Sequence, residues 1–68
     1  MKLSVRNQFK GTIVAVMKGQ TTAHVRVDIG NGHIVTSSIT NEAADDLGLK
    51  IGDAVTVIVK SSDVIIGK

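Results

Sequence analysis

Hydroxyl and cationic side chains recur near both ends and in the middle of this chain, in groups that suit the capture of a tetrahedral anion. In the stretch SVRNQFKG, Ser4 and Arg6 share one side of a strand by its period of two. Lys60 and Ser61 end a later strand, and Thr36, Ser37 and Ser38 form a third group of donors. Hydroxyls, backbone N–H groups and cationic side chains can all donate to one tetrahedral anion at once. The same residues also have a plainer reading, with Arg6 and Lys60 as surface charges and the hydroxyls as residues that suit strands. Spacing does not show that the three groups converge, so both readings stand at this level.

Other chemistries start poorly. Six carboxylates, Asp28, Glu42, Asp45, Asp46, Asp53 and Asp63, fall mostly in turns or on outer faces, and no spacing pairs two of them around a substrate. Neither His24 nor His33 sits in a nucleophile arrangement, and two histidines without cysteine do not make a zinc site. The chain is therefore expected to be noncatalytic, with no metal held by direct coordination. Single-strand nucleic-acid surfaces combine basic grooves with aromatic platforms. Phe9 is the one aromatic residue and the net charge is only +2, spread along the chain. No nucleic-acid partner is expected.

These donors need a rigid frame, and the composition favours a β one. The apolar residues are mostly Val, Ile, Ala and Leu, and proline is absent. A first strand is expected over Lys2–Arg6. In KGTIVAVMKG, Ile13, Ala15 and Met17 alternate with Thr12, Val14 and Val16, so both faces are largely apolar and a second subunit is expected to cover one of them. Thr22–Ile29 alternates more cleanly, with Ala23, Val25, Val27 and Ile29 inside and His24, Arg26 and Asp28 outside. GNGH reads as a hairpin turn supplying positive-φ positions.

Ile34–Ile39 resumes as a strand. Ala43, Ala44 and Leu47 then recur at helical spacing, with Thr40 or Asn41 as N-cap and Gly48 as C-cap. Ala54–Lys60 and Val64–Ile66 complete the pattern as two closing strands around the Ser61–Asp63 turn. The expected fold class is all-β, a small OB-like barrel with one short helix at one end.

A chain of 68 residues makes one domain, residues 1–68. It buries only about 60% of the surface that its unfolded form exposes. With no cysteine for disulfides, oligomerisation is the expected support. No signal peptide or run of roughly 20 apolar residues is visible, so the reading is soluble and cytoplasmic, with no membrane partner.

SVRN, the glycine after QFK, the hydroxyl-rich central strand, ITNEAADDLGLKIGD and VTVIVKSSDVII occur here in an order that resembles the molbindin family. These are small molybdate-binding proteins, and the resemblance covers nearly the whole chain. It implies an OB-like barrel assembled as a hexamer, a trimer of dimers, with molybdate or tungstate bound at subunit interfaces as intact oxyanions. Carried onto this chain, it implies that Ser4, Arg6, Lys60 and Ser61 form one side of a site. A neighbouring subunit would supply donors from Thr36 to Ser38, chiefly Ser38. Asn7, Gln8 and Lys10 are candidates for a second class of site near threefold axes. Val5 and Phe9 stand where the family often has Ala and Leu, changes of volume that keep the apolar character. The implied function is storage or buffering of the oxyanion. A module that transmits molybdate occupancy is the alternative, set against the regulatory members in which the module accompanies an effector domain; an OB-like single-strand binder is the other.

Overall fold

The computed structural model describes residues 5–68. Four strands, β1 (Asn7–Lys18), β2 (Thr22–Gly30), β3 (His33–Thr40) and β4 (Ala54–Val59), form one antiparallel sheet in the order β3-β2-β1-β4. Among the described residues one short α-helix, α1 (Asn41–Asp46), joins β3 to the turn before β4.

The hairpin between β2 and β3 follows from its residues. Asn31 and Gly32 both take positive φ, 54° and 79°, the geometry of a two-residue turn whose twist matches the flanking strands. A register shift between Asp28 and Gly30 then sets Arg26 opposite Thr36 and His24 opposite Ser38. Along β2 the alternation holds: Ala23, Val25 and Val27 are buried, and His24, Arg26 and Asp28 are exposed.

β1 departs from simple alternation. It carries a bulge between Ile13 and Ala15, so Ile13 pairs with Val27 and Ala15 with Arg26. A bulge adds one residue and inverts the phase of everything after it. Ile13 and Val16 consequently face the core, while Val14 and Met17 are 43% and 49% exposed. The expected grouping of Ile13, Ala15 and Met17 on one face, against Thr12, Val14 and Val16, is corrected: Ile13 and Val16 share the core side. One bulge thus accounts for part of the doubly apolar look of this strand.

Gly11 marks the closest backbone approach. A Cβ there would lie 2.6 Å from the carbonyl oxygen of Asp28 and 2.6 Å from Val27 Cγ1. The bare glycine lets β1 pass tightly against β2 while it pairs with Val55 of β4. Around this crossing Ile13, Val25 and Val27 form the buried cluster, with Val16, Ile29, Ile39, Leu49, Val55 and Val57 packed against it.

α1 is short but well terminated. Thr40 Oγ1 accepts from the Ala43 N–H at 3.0 Å. At the other end Gly48 takes φ 62°, and the N–H groups of Gly48 and Leu49 donate to the carbonyls of Asp45 and Ala44. That pairing closes the helix at a left-handed glycine. Ala44 is its buried residue, whereas Leu47, which recurs with it at helical spacing, is 70% exposed.

The barrel expectation is overturned. The sheet is open: β3 and β4 are its two edges and do not pair. The reason lies after β4, where Lys60 leads into a 3-10 turn, Ser61–Asp63. Val64–Ile66 follow this turn without strand pairing and are exposed, so the expected last strand does not form, and among the described residues no pairing joins the two edges. Of the strand expected over Lys2–Arg6, residues 2–4 lie outside the described residues, and Arg6 sits in a bend before β1.

Candidate functional site

Pairing between β1 and β4 brings two of the expected donor groups together. The ladder runs from Thr12 opposite Ala54 to Asn7 opposite Val59, so Arg6 and Lys60 are the next residues on their two strands at one end of the sheet. Ser61 follows immediately as the first residue of the 3-10 turn. All three are exposed, and among the described residues neither cation is in an ion pair. Ser4 lies outside the described residues. Two cations at one strand end repel each other until an anion or solvent compensates them, which gives the place its chemistry.

The third group lies elsewhere. Thr36, Ser37 and Ser38 are on β3, the opposite edge of the sheet. Ser38 is level with His24 and Met17, at the far end of β1 from Arg6. Eleven residue steps along the chain, at most about 36 Å of contour before the bulge shortens it, separate Arg6 from the level of Met17. Thr36 and Ser38 are exposed and Ser37 is half-buried. The chain thus holds its cationic end and its hydroxyl edge apart.

The candidates for a second site divide as well. Gln8 and Lys10 are exposed on β1, opposite Ile58 and Thr56, and Asn7 is half-buried beside Val59. Gln8 Nε2 donates to the Val5 carbonyl at 2.8 Å, a bond that ties the entry to β1.

Arg26 escaped sequence reasoning as a donor. It is exposed on β2 directly opposite Thr36, and His24 is likewise opposite Ser38, so the hydroxyl edge has a cation of its own. Counting back from the two-residue turn would have set Arg26 against Ser37. The register shift near Ile29 replaces that pairing, and no single residue announces it.

Three of the six carboxylates are engaged structurally. Asp28 Oδ1 accepts from the Gly30 N–H at 2.8 Å, and Asp53 Oδ2 from the Lys50 N–H at 3.0 Å. Asp45 pairs with Lys18 and ties α1 to β1. Among the described residues no cluster of three metal-binding side chains occurs, and no helix is long and apolar enough to cross a membrane.

Comparison with known proteins interprets this arrangement. The TOBE domain family model matches residues 3–66. The chain belongs to the TOBE domain family. Within it the relatives are of the molbindin type. Molybdenum-pterin-binding protein 3 of Clostridium pasteurianum is 48% identical over 66 residues, 97% of each chain. The structure of MopII from Clostridium pasteurianum matches this TOBE domain with a TM-score of 0.93 and 42% identity, over 98% of this chain and all of that one. The cytoplasmic molybdate-binding protein ModG, in a form with molybdate bound, gives 0.90 and 37% over 96% of this chain and 46% of its own.

Proposed function

We propose that this TOBE domain, as one oxyanion-binding unit spanning residues 1–68, stores or buffers molybdate in the cytoplasm without catalysis. Its sites lie at interfaces between copies of the chain. The single observation that carries the reading is the separation of donors. Arg6, Lys60 and Ser61 stand at one end of the β1–β4 ladder, and Thr36 and Ser38 stand on the opposite edge. A small tetrahedral anion cannot take donors from both in one chain, whereas two copies packed edge to end can supply both. The relatives named molybdate-binding support the choice of anion.

In the site so composed, Arg6 supplies directed N–H bonds and Lys60 a compact positive charge. Ser4, Ser61 and Ser38 add hydroxyl donors, with Thr36 and Ser37 beside them. Exclusion of water at the interface strengthens each bond and makes every unfilled donor costly, so binding and assembly reinforce one another. The anion enters intact, as molybdate or its isosteric relative tungstate, and no side chain coordinates the metal. A hexamer built as a trimer of dimers repeats this contact and creates a second class of site, for which Asn7, Gln8 and Lys10 are the candidates.

Calorimetric titration of anion-free protein with molybdate, with sulfate as control and oligomer mass measured in the same buffer, tests the reading. Saturable molybdate heat with little response to sulfate is expected. A folded oligomer that takes up no molybdate would refute it.

A further inference from the structure

The outer face of the β2–β3 pair carries donors that this chain leaves unused. Arg26 stands opposite Thr36 and His24 opposite Ser38, and all four are exposed. Opposite Cβ atoms on one face of a sheet lie about 4.5–5.5 Å apart and diagonal ones about 7–8 Å, within the reach of a long side chain. Among the described residues none of these four side chains makes a hydrogen bond or an ion pair. Their neighbours on the same strands are engaged. Thr40 Oγ1 caps α1, and Asp28, the carboxylate two residues from Arg26 on the same face, accepts from the Gly30 N–H. On the β1 side Arg26 faces Ala15 and His24 faces Met17, so β1 brings no carboxylate to these two rows. Arg26 is a cation with hydroxyls beside it and no paired counter-charge.

The proposed contact between copies brings Thr36 and Ser38 to the anion, and the register of β2 with β3 brings Arg26 with them. Taking water from an arginine that has no anionic partner is costly. We infer that Arg26 is a specificity-determining residue of the oxyanion site: its guanidinium reaches the anion from the hydroxyl side, facing Arg6 and Lys60 of the other copy, and favours a doubly charged tetrahedral anion. Coulomb attraction follows the product of the charges, so a third cation gives a dianion twice the gain of a monoanion of the same shape. Neutral hydroxyls read shape and serve the two more nearly alike. The inference rests on the proposed function and goes further, giving the site a cation from each copy and a preference in ligand charge.

Perrhenate is the probe, a tetrahedral oxyanion close to molybdate in size that carries one negative charge where molybdate carries two. Titration calorimetry gives the molybdate affinity, and displacement of molybdate gives the perrhenate affinity, for the parent and for Arg26→Ala, Arg26→Gln and Arg26→Lys. Oligomer mass is measured in the same buffer. Arg26→Ala is expected to weaken molybdate about tenfold and perrhenate about threefold, because the Coulomb energy is halved for the single charge, so the ratio of the two affinities falls about threefold. Arg26→Gln should show the same fall, and Arg26→Lys, which keeps the charge without the planar fork, should keep the parent's ratio. Unchanged molybdate affinity in Arg26→Ala overturns the inference. So does an equal loss for both anions, the mark of a residue that acts only through packing or assembly. If Arg26→Ala lowers the oligomer mass, Arg26→Gln against Arg26→Lys decides, and equal ratios in these two overturn the inference. A parent that binds neither anion would refute the proposed function and this inference together, whereas a parent that binds molybdate no better than Arg26→Ala does overturns the inference alone.

Discussion

The two ends of the donor set differ in kind. At the β1–β4 ladder end, Arg6 and Lys60 bring positive charge on adjacent strands, with Ser61 beside them at the start of the 3-10 turn. On the β3 edge, Thr36 and Ser38 bring neutral hydroxyls held at fixed register by pairing with β2. Charge without a rigid cluster of hydroxyls attracts any anion, sulfate included. Hydroxyls without concentrated charge discriminate shape but hold weakly. The charged end has two cations and one described hydroxyl, and the β3 edge has three hydroxyl residues with Arg26 as the facing cation, which is why the proposed function places selectivity at a contact between copies.

The frame between the two ends is the place to break the contrast most severely. Gly11 pairs with β4 while its missing Cβ leaves room for β2. Gly11→Ala forces a methyl group to within 2.6 Å of a backbone oxygen that cannot swing away. The expected loss is about 3 kcal/mol, at the upper end for overpacking, and for a domain this small it threatens folding. Urea unfolding followed by circular dichroism measures it. A variant as stable as the parent would show that β1 and β2 are not held together here.

The charged end comes next. Hydrogen bonds to charged groups contribute about 1.5–3 kcal/mol, so Arg6→Ala is expected to weaken molybdate binding about 30-fold while the far-ultraviolet spectrum is unchanged. Raising salt should weaken the parent but act much less on the variant, because the long-range attraction has been reduced. Equal affinity in the variant would remove Arg6 from the site and leave Arg26 as the cation to test.

How much of this contrast the sequence carries depends on the element. The two faces of β2 were legible, though its register with β3 was not: alternation places Ala23, Val25 and Val27 inside, with Ile29 half-buried, and His24, Arg26 and Asp28 outside. The start of α1 was legible to within one residue, Thr40 or Asn41, and its end likewise, since the C-cap is Leu47 and Gly48 is the left-handed residue just past it. β1 was not, because the bulge at Val14 has no residue signature in a run of Val, Ile and Ala. The barrel was misread for a related reason. Val64–Ile66 has the composition of a strand, but whether a strand pairs within its own chain depends on the direction that the preceding turn imposes. The donor groups were legible as chemistry, and only the register of β1 with β4 places Arg6 and Lys60 at one end of the sheet.

The hydroxyl edge is sharpened by Ser38→Ala. A neutral hydrogen bond contributes about 1 kcal/mol net, so the expected change is roughly fivefold in molybdate affinity. The informative quantity is the ratio of molybdate to sulfate affinity. It should fall in Ser38→Ala and stay nearly constant in Arg6→Ala, if shape is read by the hydroxyls and charge by the arginine. The reverse pattern would exchange the roles assigned to the two ends.

Thr40 gives the smallest effect and the cleanest control. It lies on the same strand as Thr36 and Ser38, and it is exposed as they are. Its hydroxyl oxygen, however, already accepts the Ala43 N–H and caps α1. Thr40→Ala should therefore cost about 0.5–1 kcal/mol of stability, a fall in Tm of about 4 °C for a domain of this size, with molybdate affinity unchanged. Ser38→Ala should do the opposite, lowering affinity with Tm in the absence of anion unchanged. Differential scanning calorimetry with and without molybdate separates the two in one experiment. Two hydroxyls on one strand, two residues apart, would then be shown to serve different ends, one holding the fold and one reading the ligand. If both variants shift Tm alone, β3 is a structural edge and the shape-reading donors must be sought on β2.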